Sequence, residues 1–183
     1  MIGIIIAVIV VILVIFVISS YNGFIKLKNK CEEAFATMDV YLKKRYDLIP
    51  NLVETVKGYA AHEKETLEKV IAARNAAQGA QTIEDKIAGE NALQGTLKSL
   101  FAVAEGYPEL KANTNFLDLQ EQLKKIEDDI ANARKYYNAV IKEFNTKCEV
   151  FPSNIIAGLF HFERKPMFEV GSAEERENVQ VKF

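Results

Sequence analysis

The chain has 183 residues, 49% of them hydrophobic and 26% charged, with a formal net charge of −2. That balance excludes the basic excess of a nucleic-acid binder and the acidic, apolar-poor composition of a disordered chain. Nine glycines and four prolines are too few for a turn-rich β protein, and two cysteines are too few for a disulfide framework.

The apolar content is concentrated at the start. Ile2 to Ile18 carries no polar side chain, and the first charged residue is Lys26. Such a segment satisfies its own backbone hydrogen bonds in lipid only as a helix. Roughly 20 residues at ~1.5 Å each cross a ~30 Å hydrocarbon core, so Ile2 to Ser20 reads as a membrane anchor, with Tyr21 where an interfacial aromatic belongs. A cleaved signal peptide is the rival reading. It lacks support, because no basic residue precedes the apolar run and Val17-Ile18-Ser19-Ser20 is a poor cleavage site. Lys26, Lys28 and Lys30 lie just beyond the run, with Lys43, Lys44 and Arg45 further on. This asymmetry predicts a single pass with the N-terminus outside and the remaining chain cytoplasmic. A signal anchor of the opposite orientation is the alternative.

The next segments show helical periodicity. Phe24, Leu27, Cys31, Ala34, Met38 and Leu42 step by three and four, and the stripe reaches Arg45. Asp47-Leu48-Ile49-Pro50 predicts a break, with a kinked continuous helix as the alternative. A second stripe runs through Ile49, Val53, Val56, Leu67 and Val70 toward Gly79, with Arg74 on the same face. Thr82 and Asp85 suggest a cap for a third helix, which Gly106 and Pro108 end. Tyr107 to Thr114 reads as a loop. A fourth stripe runs from Phe116 through Leu123, Ile130 and Tyr137 to Phe144, and Pro152 stops it near Val150.

The expected fold class is therefore all-α. A transmembrane helix over residues 1–22 precedes an up-and-down antiparallel four-helix bundle over 23–150. A long three-helix bundle with a Pro-kinked first helix is the alternative. Residues 151–183 form an aromatic-rich tail without helical spacing. Phe160, Phe162, Arg164, Lys165 and Phe168 make it a candidate membrane-proximal segment, since aromatic rings and basic heads both favour the interface.

Chemistry-bearing motifs are scarce. His62-Glu63-Lys64-Glu65-Thr66 has the start of a zinc-protease signature, but Thr66 stands where the second His is needed. No Glu lies three residues before either His, as a di-iron bundle requires. Cys31 lies on an apolar stripe, where a small hydrophobe suffices, and no His neighbours Cys148. No catalytic set, cofactor, metal or small-molecule substrate is predicted. What remains is a set of charged and polar groups on or beside the stripes: Arg45, Arg74, Glu127, Arg134 and Asn138. These are candidates for an inter-helix polar network that fixes register, or for a groove that receives a partner segment.

Several blocks resemble the LemA family. They include Met38-Asp39-Val40, Asp47-Leu48-Ile49-Pro50-Asn51-Leu52-Val53, Val56-Lys57-Gly58-Tyr59-Ala60, Ala104-Glu105-Gly106-Tyr107-Pro108 and Ala133-Arg134-Lys135-Tyr136-Tyr137-Asn138. The resemblance implies a bacterial single-pass membrane protein with a cytoplasmic helical domain, and no established enzymatic activity. The expected function is a membrane-tethered, non-catalytic scaffold or adaptor of the bacterial envelope. A regulatory subunit of a membrane enzyme such as a protease is the alternative. The expected partners are the lipid bilayer and a protein partner or a second copy, with no nucleic acid.

Overall fold

The computed structural model describes residues 1–168. Every regular element among them is an α-helix: α1 (Ile2–Lys57), α2 (Lys64–Gly79), α3 (Ile83–Ala104), α4 (Pro108–Lys111), α5 (Thr114–Glu149) and α6 (Ser153–Leu159). The described chain divides into two compact units. One comprises Met1–Met38 with Ala133–Met167, the other Asp39–Asn132 with Phe168. Both long helices, α1 and α5, contribute residues to each.

Helix α1 corrects the expected break. It continues through Pro50 to Lys57. One reason is that the apolar stripe keeps phase: Met38, Leu42, Arg45, Ile49, Leu52 and Val56 are all buried at three- and four-residue steps. The other is local. Pro50 has no N–H to give to the carbonyl four residues back, and that carbonyl, on Tyr46, accepts the Arg74 Nε–H at 2.8 Å instead. The chain breaks later, in a tight turn after Lys57 where Tyr59 N–H and Ala60 N–H both donate to the Val56 carbonyl, at 3.0 and 2.8 Å. The second stripe is thus shared between two helices. The kinked alternative anticipates continuity through Pro50 but not the turn that leaves α2 a helix of its own.

In the unit built from Asp39–Asn132, α2 folds back along α1, with Arg74 of α2 reaching Tyr46 of α1. Helix α3 then packs closely on α2. A Cβ at Gly89 would lie 2.8 Å from the Ala77 Cα, so only glycine allows this approach. Thr82 caps α3 as expected, its hydroxyl oxygen accepting from Asp85 N–H at 3.0 Å. The expected loop after Gly106 contains the one-turn helix α4, begun by Pro108 in the first turn. Asn113 Oδ1 then accepts from Phe116 N–H at 2.9 Å at the start of α5. Leu52, Val56, Val70, Leu93, Leu100, Leu110, Phe116 and Ile130 fill the core.

In the other unit α5 runs antiparallel to α1. Phe35 meets Tyr137, Lys30 pairs with Glu143 at 3.3 Å, and Phe24 meets Phe144. Helix α5 ends at Glu149, and the Ser153 hydroxyl donates to the carbonyls of Lys147 and Val150 at 2.7 and 2.9 Å. After α6 the chain returns without regular structure along the helix pair. Asn145 holds it on both sides, donating to the Lys165 carbonyl and accepting from Lys165 N–H, each at 2.9 Å. The Tyr137 hydroxyl donates to the Pro166 carbonyl at 3.0 Å.

The N-terminal part of α1 is the one helical segment among the described residues long and apolar enough to cross a membrane, and none of that apolar stretch is buried.

Candidate functional site

Arg45 occupies a slot in the apolar stripe of α1 and is 0% exposed. Its guanidinium pairs with two carboxylates. One is Glu90 of α3, also 0% exposed; the other is Glu127 of α5, 36% exposed, at 2.8 Å from Nη1. Glu90 also accepts the Tyr46 hydroxyl. An ion pair this deep survives only because each partner offsets the other's desolvation. Burial alone would lower the guanidinium pKa, but Glu90 and Glu127 outweigh it and hold it above its ordinary value. Burial, and then the negative charge of Glu90, push the Tyr46 phenol far up, so it stays a proton donor. A second ion pair, Lys86 to Asp39 at 2.6 Å, joins α3 to α1 nearby in the same unit.

The candidate polar residues therefore separate. Arg45 and Glu127 are in contact, and Arg74 serves the backbone of Tyr46 beside them. Arg134 and Asn138, both half-buried, belong to the other unit. Sequence reasoning missed Glu90. The signal was present: Glu90 stands between Ile87 and Leu93 at core spacing, so α3 carries a negative charge in its stripe as α1 carries a positive one.

Glu127 closes one end of a groove of about 370 Å³ between α3 and α5, floored by Leu97, Phe101 and Leu123 and rimmed by Lys98 and Lys124. A wider groove, about 690 Å³, lies between α1 and α2, with Pro50, Val53, Leu67 and Ile71 as its floor and Lys57, Lys64 and Glu68 at its edge. Among the described residues no three His, Cys, Asp or Glu side chains gather to hold a metal ion. Both cysteines are free thiols, and burial pushes each up from its ordinary pKa, away from a reactive thiolate.

The candidate tail residues have several fates. Phe160 lies on Tyr21, with ring centroids 4.8 Å apart. Phe162 is stacked on Phe24 at 4.6 Å. Arg164 pairs with Glu149 at 3.1 Å, and the Lys165 amine sits over the Phe144 ring. Phe168 is buried and groups with the other unit. The tail beyond it, including Phe183, lies outside the described residues.

These features define a protein whose described elements are all helical, with a long apolar N-terminal helix and a charged cluster centred on the buried Arg45 and Glu90. The profile of the LemA family matches residues 34–183. The chain belongs to the LemA family. Among its relatives is Protein LemA of Metamycoplasma hominis, 24% identical over 87% of this chain and 72% of that protein. Two magnetosome proteins of Paramagnetospirillum magneticum, MamQ 1 and MamQ 2, are each 25% identical over 81% of this chain. The match spans 64% of their length, a little under two thirds.

Proposed function

We propose that the protein is a membrane-tethered scaffold or adaptor without catalysis of its own, its body an up-and-down four-helix bundle on the cytoplasmic side of a bacterial cell membrane. The observation that carries this reading is the wholly unburied apolar stretch of α1. No other described part of the chain covers it, and a surface of that size and character is stable only in lipid. The lysines at 26, 28 and 30 favour the cytoplasmic side for the helical body beyond them.

The charged cluster supports a structural rather than a chemical role. Arg45 and Glu90 are closed to any substrate, and Arg45 spends its charge on two carboxylates of its own chain. The two grooves have apolar floors and charged rims, the make-up of a surface that accepts a helical segment. The test is crosslinking from intact membranes, read by mass spectrometry, with photo-crosslinkers at Gln94 and Asn75 in the two grooves. Self-crosslinks and several protein partners are the expected result. One dominant enzyme partner would replace the scaffold reading with that of a regulatory subunit.

A further inference from the structure

Helix α6 is short and, after its first two residues, apolar: Ser153-Asn154-Ile155-Ile156-Ala157-Gly158-Leu159. Ile156 and Ala157 are buried in the protein. The opposite side is not: Phe151, Ile155 and Leu159, at four-residue spacing, are 80%, 58% and 64% exposed. In water such an apolar row is a liability, and it belongs under other protein or in lipid.

Its position within its own unit decides between them. Lys30 lies beside Glu143, and Phe24 beside Phe144 and the Lys147 amine. Because the two helices are antiparallel, α5 ends level with the residues that close the apolar stretch of α1. The returning chain fixes the same level, since Phe160 packs on Tyr21 and Phe162 on Phe24. The turn carrying Phe151 and α6 therefore lies at the depth of Tyr21, where the apolar stretch of α1 ends. The same depth is marked independently by a recess that has Ile15 and Ile18 as its apolar wall and Lys26 and Lys147 as its polar one. Apolar below and cationic above is the profile of a headgroup boundary.

We propose that Phe151 and α6 form a second membrane contact, a foot whose Phe151, Ile155 and Leu159 side chains insert at the headgroup–acyl boundary of the leaflet from which α1 emerges. The occupant is lipid because the patch is continuous, through Phe160 and Tyr21, with the apolar surface of α1. In interfacial helices generally, apolar side chains reach ~5–10 Å into the headgroup–acyl boundary. The foot rests on the reading of α1 as a membrane span. It would give the helix pair a second point of attachment beside α1.

The chain contains no tryptophan, so single introduced tryptophans report unambiguously. The full chain is reconstituted at low protein-to-lipid ratio in phosphatidylcholine–phosphatidylglycerol vesicles containing lipids brominated at defined acyl depths. Phe151→Trp and, separately, Leu159→Trp should show blue-shifted emission that is quenched, most strongly by bromines nearest the headgroup. Ile12→Trp should be quenched most by bromines near the chain ends. Tyr136→Trp, on an exposed position of α5 roughly 20 Å beyond Tyr21, should not be quenched. Quenching at 12 but at neither 151 nor 159 overturns the foot and leaves the span standing. Blue-shifted but unquenched emission at 151 and 159 also overturns it, because protein then covers the patch. Loss of quenching at 12 overturns the span, whatever 151 and 159 report.

Discussion

Arg45 sits where the periodicity of α1 calls for an apolar residue, and its worth depends on what it leaves behind when removed. Arg45→Ala strands Glu90 in the core and should cost about 3–5 kcal/mol. Replacing the pair together, Arg45→Met with Glu90→Leu, should cost far less, since no buried charge remains unpaired. Thermal unfolding of the full chain in detergent, followed by circular dichroism, distinguishes the two. Equal losses in the single and double variants would mean that the pair is not the source of the effect. Tyr46 adds a pH dependence at the same place. Its folded pKa is raised by burial and by Glu90, so the stability it contributes is complete below its unfolded value of about 10 and is lost as pH rises above it. The wild-type chain should therefore lose stability on alkaline titration more steeply than Tyr46→Phe. Parallel pH profiles would remove Tyr46 from the account.

At the scale of elements, Pro50 and Arg74 form a matched pair. The proline removes one helical hydrogen bond, and the arginine of the neighbouring helix occupies the vacated carbonyl. Arg74→Ala should cost about 1–3 kcal/mol by leaving the Tyr46 carbonyl unsatisfied. In a Pro50→Ala background, where residue 50 again has an N–H, the same substitution should cost clearly less. An additive double-mutant cycle would show that the two residues act independently. The contact of α2 with α3 makes an opposite pair of glycines. Gly89→Ala drives a Cβ into the Ala77 backbone and should lose about 1–3 kcal/mol despite its better helix propensity. Gly95→Ala meets nothing within 4 Å and should gain up to about 1 kcal/mol. Melting temperatures that moved the same way would contradict the close approach.

At the scale of the molecule, much of the helical architecture was legible because it is periodic. The stripe from Phe116 to Phe144 marks α5, and Thr82, Gly106 and Pro152 mark ends that the structure keeps within a few residues. Pro50 misled because a local rule was set against a longer-range one. The stripe passes from Arg45 to Ile49 to Leu52 without a slip, and packing over that face outweighs one missing donor. In the charged cluster, Arg45 was legible and Glu90 was passed over, since a charge in a stripe announces a partner only when the stripes are compared. The tail was illegible for a different reason. Phe162 meets Phe24 and Asn145 meets Lys165 across long stretches of chain, with no period to betray them. Topology belongs at this scale too. Cys148 is half-buried with a raised thiol pKa, which makes it a slow reporter. In a Cys148→Ser chain carrying Lys125→Cys at an exposed position, an impermeant maleimide should label only after the membrane is opened. Labelling in sealed cells would place the helical body outside.

Lys30 and Glu143 are separated by 113 residues of chain, whereas the other unit is almost entirely the contiguous run Asp39–Asn132. The two cannot mature together on a ribosome that releases about 5–20 residues per second. The contiguous run is complete while Phe144 and Phe162 have yet to be made, and until then the faces of Phe24, Cys31 and Ala34 have nothing to close on. During those seconds the waiting helix is open to the α5 of a neighbouring nascent copy as much as to its own. Exchange between copies and capture by chaperones are therefore expected at the faces of Phe24, Cys31 and Ala34, which are made early and covered late.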